Sequence, residues 1–88
     1  MAPPGTIPPT IRVLLFARYA ELLGANQLEL PASGLVTAGD VLARLRSLPG
    51  GAGIGESTLM AVNLRHAAPG TRIVPGDEVA VLPPLAGG

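Results

Sequence analysis

Apolar residues along this chain come in short blocks separated by glycine and proline, and each block carries its own period. Ile11-Arg12-Val13-Leu14-Leu15-Phe16-Ala17 is short, apolar and partly β-branched, which predicts a buried strand. Arg18 to Leu23 is helix-prone and halts at Gly24, a residue suited to the left-handed position past a helix end. So short a helix cannot stand alone and must pack on the sheet. Gln27 to Leu30 reads as the second strand of a hairpin, closed by Pro31.

The clearest helix comes next. Thr37 is placed to cap it, with Asp40 three residues on as an acidic form of the capping box. Val41, Leu42, Leu45 and Leu48 then fall on one face, with Arg44 and Arg46 away from it, and Pro49 ends the run. Gly50 to Gly55 reads only as loop. Leu59-Met60-Ala61-Val62-Asn63-Leu64 predicts another strand, and Pro75-Gly76-Asp77 a turn. Glu78-Val79-Ala80-Val81-Leu82 is the last strand, with Val79 and Val81 on one face.

The order strand, strand, helix, strand, strand argues for an α+β fold with one main helix across a mixed, mostly antiparallel sheet. The first and last strands are the most apolar and should be central. Separated by a crossover through the helix, they should run parallel to each other. The expected organisation is a flexible tail at 1–9, a domain at 10–82 and an extended tail at 83–88.

Composition narrows the chemistry. Six acidic residues balance six basic ones in 88, so the basic surplus of a nucleic-acid binder is missing. No apolar run is long enough to span a membrane, and the opening Met1-Ala2-Pro3-Pro4-Gly5 is unlike a signal peptide; the cytoplasm is the expected location. There is no cysteine and one histidine, His66, which excludes thiolate and multi-histidine metal sites and a cysteine nucleophile. All six basic residues are arginines, so no lysine is available for a Schiff base or an isopeptide bond.

The remaining candidate motifs weaken on inspection. The glycines at 50–55 fail the spacing of a phosphate cradle, since position 56 is glutamate and the flanking order is helix then strand. His66, Ser57 and Asp77 could be written as a triad, yet nothing in their spacing supports it. Asp77 suits turn chemistry. Asn63, polar within an apolar strand, suits a turn or a strand-end hydrogen bond.

The last residues are different. An apolar strand runs straight into Pro83-Pro84, where backbone donors vanish and pairing must stop. Pro83-Pro84-Leu85-Ala86-Gly87-Gly88 then reaches up to ~20 Å at about 3.3 Å per residue. The prolines stiffen its base, Leu85 offers an apolar anchor, and the end narrows to residues without side chains. That shape suits threading a carboxylate into a partner's confined active site.

Three blocks resemble the ubiquitin-like sulfur carriers, and within them the small subunits of molybdopterin synthase. They are Ile11 to Ala17 with Glu21-Leu22-Leu23-Gly24, then Ala61-Val62-Asn63, and Gly76 through Gly88 nearly throughout. The resemblance implies a β-grasp fold and a chain that is not itself catalytic. Gly88 would be adenylated by an E1-like activating enzyme using Mg-ATP, then converted to a thiocarboxylate with sulfur from a donor protein. The tail would enter the large synthase subunit, in a heterotetramer, and pass sulfur to cyclic pyranopterin monophosphate. This chain would bind no cofactor, metal, nucleic acid or membrane. By analogy Phe16, Leu82 and Leu85 form the partner surface. A carrier for thiamine thiazole or cysteine synthesis, a ubiquitin-like protein modifier, and a plain binding module are the alternatives.

Overall fold

Strict alternation of buried and open positions along the first and last strands decides where the sheet sits. The structure, a computed structural model, describes residues 8–55 and 58–84. Its elements are β1 (Thr10–Leu15), α1 (Arg18–Leu23), β2 (Gln27–Pro31), α2 (Ala38–Arg46), β3 (Leu59–Val62), β4 (Arg65–Ala67) and β5 (Glu78–Leu82). The strands form a five-stranded sheet in the order β2-β1-β5-β3-β4. β5 is therefore the central strand, parallel to β1 and antiparallel to β3, while the β1–β2 and β3–β4 pairs are antiparallel hairpins. The architecture is the expected ubiquitin-like α+β fold.

One face of the sheet carries Ile11, Val13, Val79 and Val81, all fully buried, with Met60 beside them. The apolar stripe of α2 packs over this face through Val41, Leu42 and Leu45. Complete burial of a side chain such as Leu45 contributes roughly 2 kcal/mol of transfer free energy. α2 begins where its sequence says it should: the Thr37 hydroxyl accepts the Asp40 N–H at 3.2 Å, and Asp40 Oδ2 accepts the N–H groups of Val36 at 2.9 Å and Thr37 at 3.0 Å. Those bonds, led by the one from Val36, hold the Asp40 carboxyl below its ordinary pKa.

The structure departs from the pattern-based reading at four boundaries. β1 stops at Leu15 rather than Ala17, because Ala17 turns to φ 53 to enter α1. α2 ends at Arg46, and Leu48 follows in a tighter turn, its N–H donated to the Leu45 carbonyl at 3.1 Å. The strand expected over 59–64 is a hairpin instead. Asn63 and Leu64 both take positive φ, 49 and 70, the conformation a two-residue hairpin turn demands, and the chain returns as β4. The fourth departure is the glycine segment, which folds as a 3₁₀ turn at Gly51–Gly53 with Gly51 and Ile54 buried. A Cβ at Gly51 would collide with the Leu45 carbonyl. These glycines form a close-packed joint between α1 and α2, against Leu22 and Leu45.

Candidate functional site

Because β5 lies in the middle of the sheet, whatever follows it leaves from the centre of the molecule. The ladder ends with Leu15↔Val81 on one side and Leu59↔Leu82 on the other. Pro83 has no N–H to continue it, so pairing stops there for a chemical reason. Pro83 is half-buried and Pro84 exposed. Of the expected tail, Pro83 and Pro84 are placed by the structure; Leu85, Ala86, Gly87 and Gly88 lie outside the described residues.

The two prolines form one wall of a hollow of about 470 Å³, completed by Ala17, Arg18, Tyr19, Gly53 and Gly55. Its base is tied together by side chains. The Thr58 hydroxyl donates to the Gly55 carbonyl at 2.6 Å, which leaves its oxygen to accept from the Tyr19 hydroxyl at 2.8 Å. The ring of Tyr19 is almost fully buried. α1, the glycine joint and the root of β3 are thus fastened to one another beside the tail's exit.

The outer face of the sheet near that exit is apolar. Registers place Leu14, Ala80 and Ala61 in one row across β1, β5 and β3, with Leu59 and Leu82 paired in the next row towards the exit. Leu82 is half-buried, and Leu59 and Phe16 are open at 38% and 43% exposure. Phe16 directly follows the last paired residue of β1. Phe16 and Leu82 thus stand at the end of the sheet where β5 gives way to Pro83. The structure adds Leu59, which the sequence reading passed over; with Met60 assigned to the core, period-two alternation would have pointed Leu59 outward.

The other candidates resolve into structure. Asp77 Oδ1 accepts from Asn63 Nδ2 at 3.0 Å and its Oδ2 accepts the Val74 N–H at 2.8 Å, while Asn63 Oδ1 accepts the Glu78 N–H at 3.0 Å. The Asn63 amide, then the Val74 N–H, lower the Asp77 pKa from its ordinary value. Turn and strand-end chemistry is what these residues perform. His66 is exposed on β4 opposite Ala61 with no hydrogen bond to Asp77, and Ser57 lies outside the described residues. Among the described residues no group of three His, Asp or Glu side chains could hold a metal ion, and no helix is long and apolar enough to cross a membrane.

Comparison with known proteins gives this geometry its context. The model of the ThiS family matches residues 13–88, through the two closing glycines. A molybdopterin synthase sulfur carrier subunit of Chlamydomonas reinhardtii is 31% identical over 81 residues, covering 89% of this chain and 98% of that protein. The human protein of the same description is 29% identical over 82 residues, covering 89% and 93%. Among solved structures, small archaeal modifier protein 1 of Haloferax volcanii superposes with a TM-score of 0.74 at 27% identity, covering 88% of this chain and 99% of that one.

Proposed function

The chain belongs to the ThiS family, and on that premise we propose that it is the sulfur carrier subunit of a molybdopterin synthase. The observation that carries the reading is the continuity between a central strand that ends at Leu82 and a family match that runs on through Gly88. Two relatives near 30% identity over almost their whole length support the assignment to molybdopterin synthase.

In this reading the reactive atom is the Gly88 carboxyl carbon. A carboxylate with a pKa near ~3.5 is ionised at neutral pH and is a poor electrophile. An E1-like enzyme with Mg-ATP adenylates it, supplying a leaving group, and sulfur from a donor protein displaces AMP to leave a thiocarboxylate. The tail then enters the large subunit, where the sulfur passes to cyclic pyranopterin monophosphate. Gly87 and Gly88 let two enzymes close in turn around the same carbon without a side-chain clash. Phe16, Leu59 and Leu82 give the large subunit an apolar surface at the tail's root. Acids, bases and metal ions for each step belong to the partners.

Intact mass after incubation with an activating enzyme, Mg-ATP and a sulfur source tests the proposal. A gain equal to exchanging one oxygen for sulfur, absent when Gly88 is deleted, is the expected result. No gain with an enzyme that modifies another carrier in parallel would count against it. The likeness to an archaeal modifier protein favours one further reading, attachment of Gly88 to other proteins. Blots of tagged chain from cells would then show higher-mass conjugates, which a pure sulfur carrier does not form.

A further inference from the structure

The sheet has a second pole, at the opposite end of β5 from the tail, and its chemistry is unlike the first. There Arg65 and His66 of β4, Thr71 and Arg72 line a hollow of about 620 Å³ closed by Asn63 and Asp77. The frame is rigid. Asn63 and Asp77 are locked together, and Thr71 and Ile73 are tied to the start of α2 through Ala38 N–H to the Thr71 carbonyl at 2.9 Å and Ile73 N–H to the Val36 carbonyl at 2.9 Å.

Charge there is unbalanced although the whole chain is neutral. Arg12 reaches Glu78 at 3.9 Å on the outer face of the sheet, and Arg44 donates to the Ser33 carbonyl at 3.3 Å. Arg65 and Arg72 make no ion pair or side-chain hydrogen bond among the described residues. The one carboxylate in the hollow, Asp77, already has both oxygens engaged. The Thr71 hydroxyl accepts the Ala68 N–H at 3.1 Å and keeps its own proton to donate. Leu64, next to Arg65 in the hairpin turn, is 87% exposed and Val74, two residues after Arg72, 61%; they are the most open large apolar side chains among the described residues.

We infer that this pole is a second protein-docking surface, one that receives an acidic segment carrying apolar residues. Two guanidinium forks and a free hydroxyl match carboxylates, and Leu64 and Val74 supply the apolar contact that a small anion could not use. A partner seated here leaves the tail, Phe16, Leu59 and Leu82 uncovered, so both poles can be occupied at once. The inference does not depend on the tail's chemistry.

Titrating the full chain, ¹⁵N-labelled, with a synthetic peptide of alternating glutamate pairs and leucines tests it by amide shifts. Shifts should concentrate at 63–67 and 71–77. Affinity should fall at least tenfold in Arg65→Glu/Arg72→Glu and severalfold in Leu64→Ser. These positions are exposed, and an unchanged Tm confirms that the variants fold. Shifts spread equally over Arg12, Arg18 and Arg44, or affinity unchanged in the double variant, would overturn the inference. Equal shifts with inorganic phosphate alone, indifferent to Leu64→Ser, would overturn it in favour of a small-anion site.

Discussion

Replacing Asn63 isolates two physical effects that the structure superimposes at one residue. Its side chain donates to Asp77 and accepts from the Glu78 N–H, both at 3.0 Å, while its backbone sits at φ 49. Asn63→Ala removes both bonds and places a Cβ without local hydrogen bonding in the left-handed region. The bonds are solvent-exposed, so together they contribute only about 1 kcal/mol. The left-handed conformation costs alanine roughly 1 kcal/mol more. The expected loss is about 2 kcal/mol, a fall in Tm of roughly 8–16 °C for a domain of this size. Asn63→Gly loses the same bonds without the strain, so about half that loss is expected.

Urea and thermal unfolding followed by far-UV circular dichroism would measure both variants. An alanine variant no worse than the glycine variant would refute the strain argument. Neither variant changing stability would refute the lock itself. The pH profile gives an independent reading. Asp77 has a lowered pKa, with Asn63 as the leading cause, so its stabilisation is present above the unfolded carboxylate pKa and is lost as pH falls through the folded value. That acid-side loss should be shallower in Asn63→Ala.

Three other outcomes follow from the same structure. Gly51→Ala should destabilise by about 2–3 kcal/mol, because the added methyl meets the Leu45 carbonyl in a closed joint; a change under about 0.5 kcal/mol by urea unfolding would refute close packing there. Asp40→Asn should weaken the cap of α2, lowering Tm, and should flatten acid unfolding, since the Asp40 carboxylate with its lowered pKa loses its contribution only as pH falls through that value. Leu59→Asp and Phe16→Asp should reduce binding to the large synthase subunit at least tenfold in calorimetry with little change in Tm, both side chains being open; normal binding would remove the outer apolar face from the interface.

Elements whose reason is local were legible in the sequence. The capping box at Thr37 and Asp40, the halt at Gly24 and the alternation of Val79 and Val81 all appear in the fold as read. The parallel pairing of the first and last strands followed from counting connections. What escaped depends on tertiary contact or on a single backbone angle. Asn63 carried a turn signal but Leu64 did not, since leucine rarely takes positive φ; the lock between Asn63 and Asp77, 14 residues away, accompanies that turn. The glycine segment looks like slack until Leu22 and Leu45 close on it. At the site, Phe16 and Leu82 were read by analogy, whereas Leu59 needed the β3 register and the hollow beside Pro84 needed the packing of α1.

The position of β5 explains why the tail belongs on this strand and on no other. β5 pairs with β1 on one side and with β3 on the other, whereas β2 and β4 each have a single neighbour. An edge strand frays at low free-energy cost, and a tail attached to one would change its root each time a partner pulled on it. Rooted in the centre, Pro83 starts from a fixed point and direction whatever happens at the edges. On the proposed function, fixing that root in advance would remove part of the ordering cost of each binding event at the tail. On the same reading, a substitution at buried Val79 or Val81 would act on the tail through the fold, whereas one at exposed Leu59 or Phe16 would act through the partner. Tm and partner affinity should move together in the first pair and separately in the second.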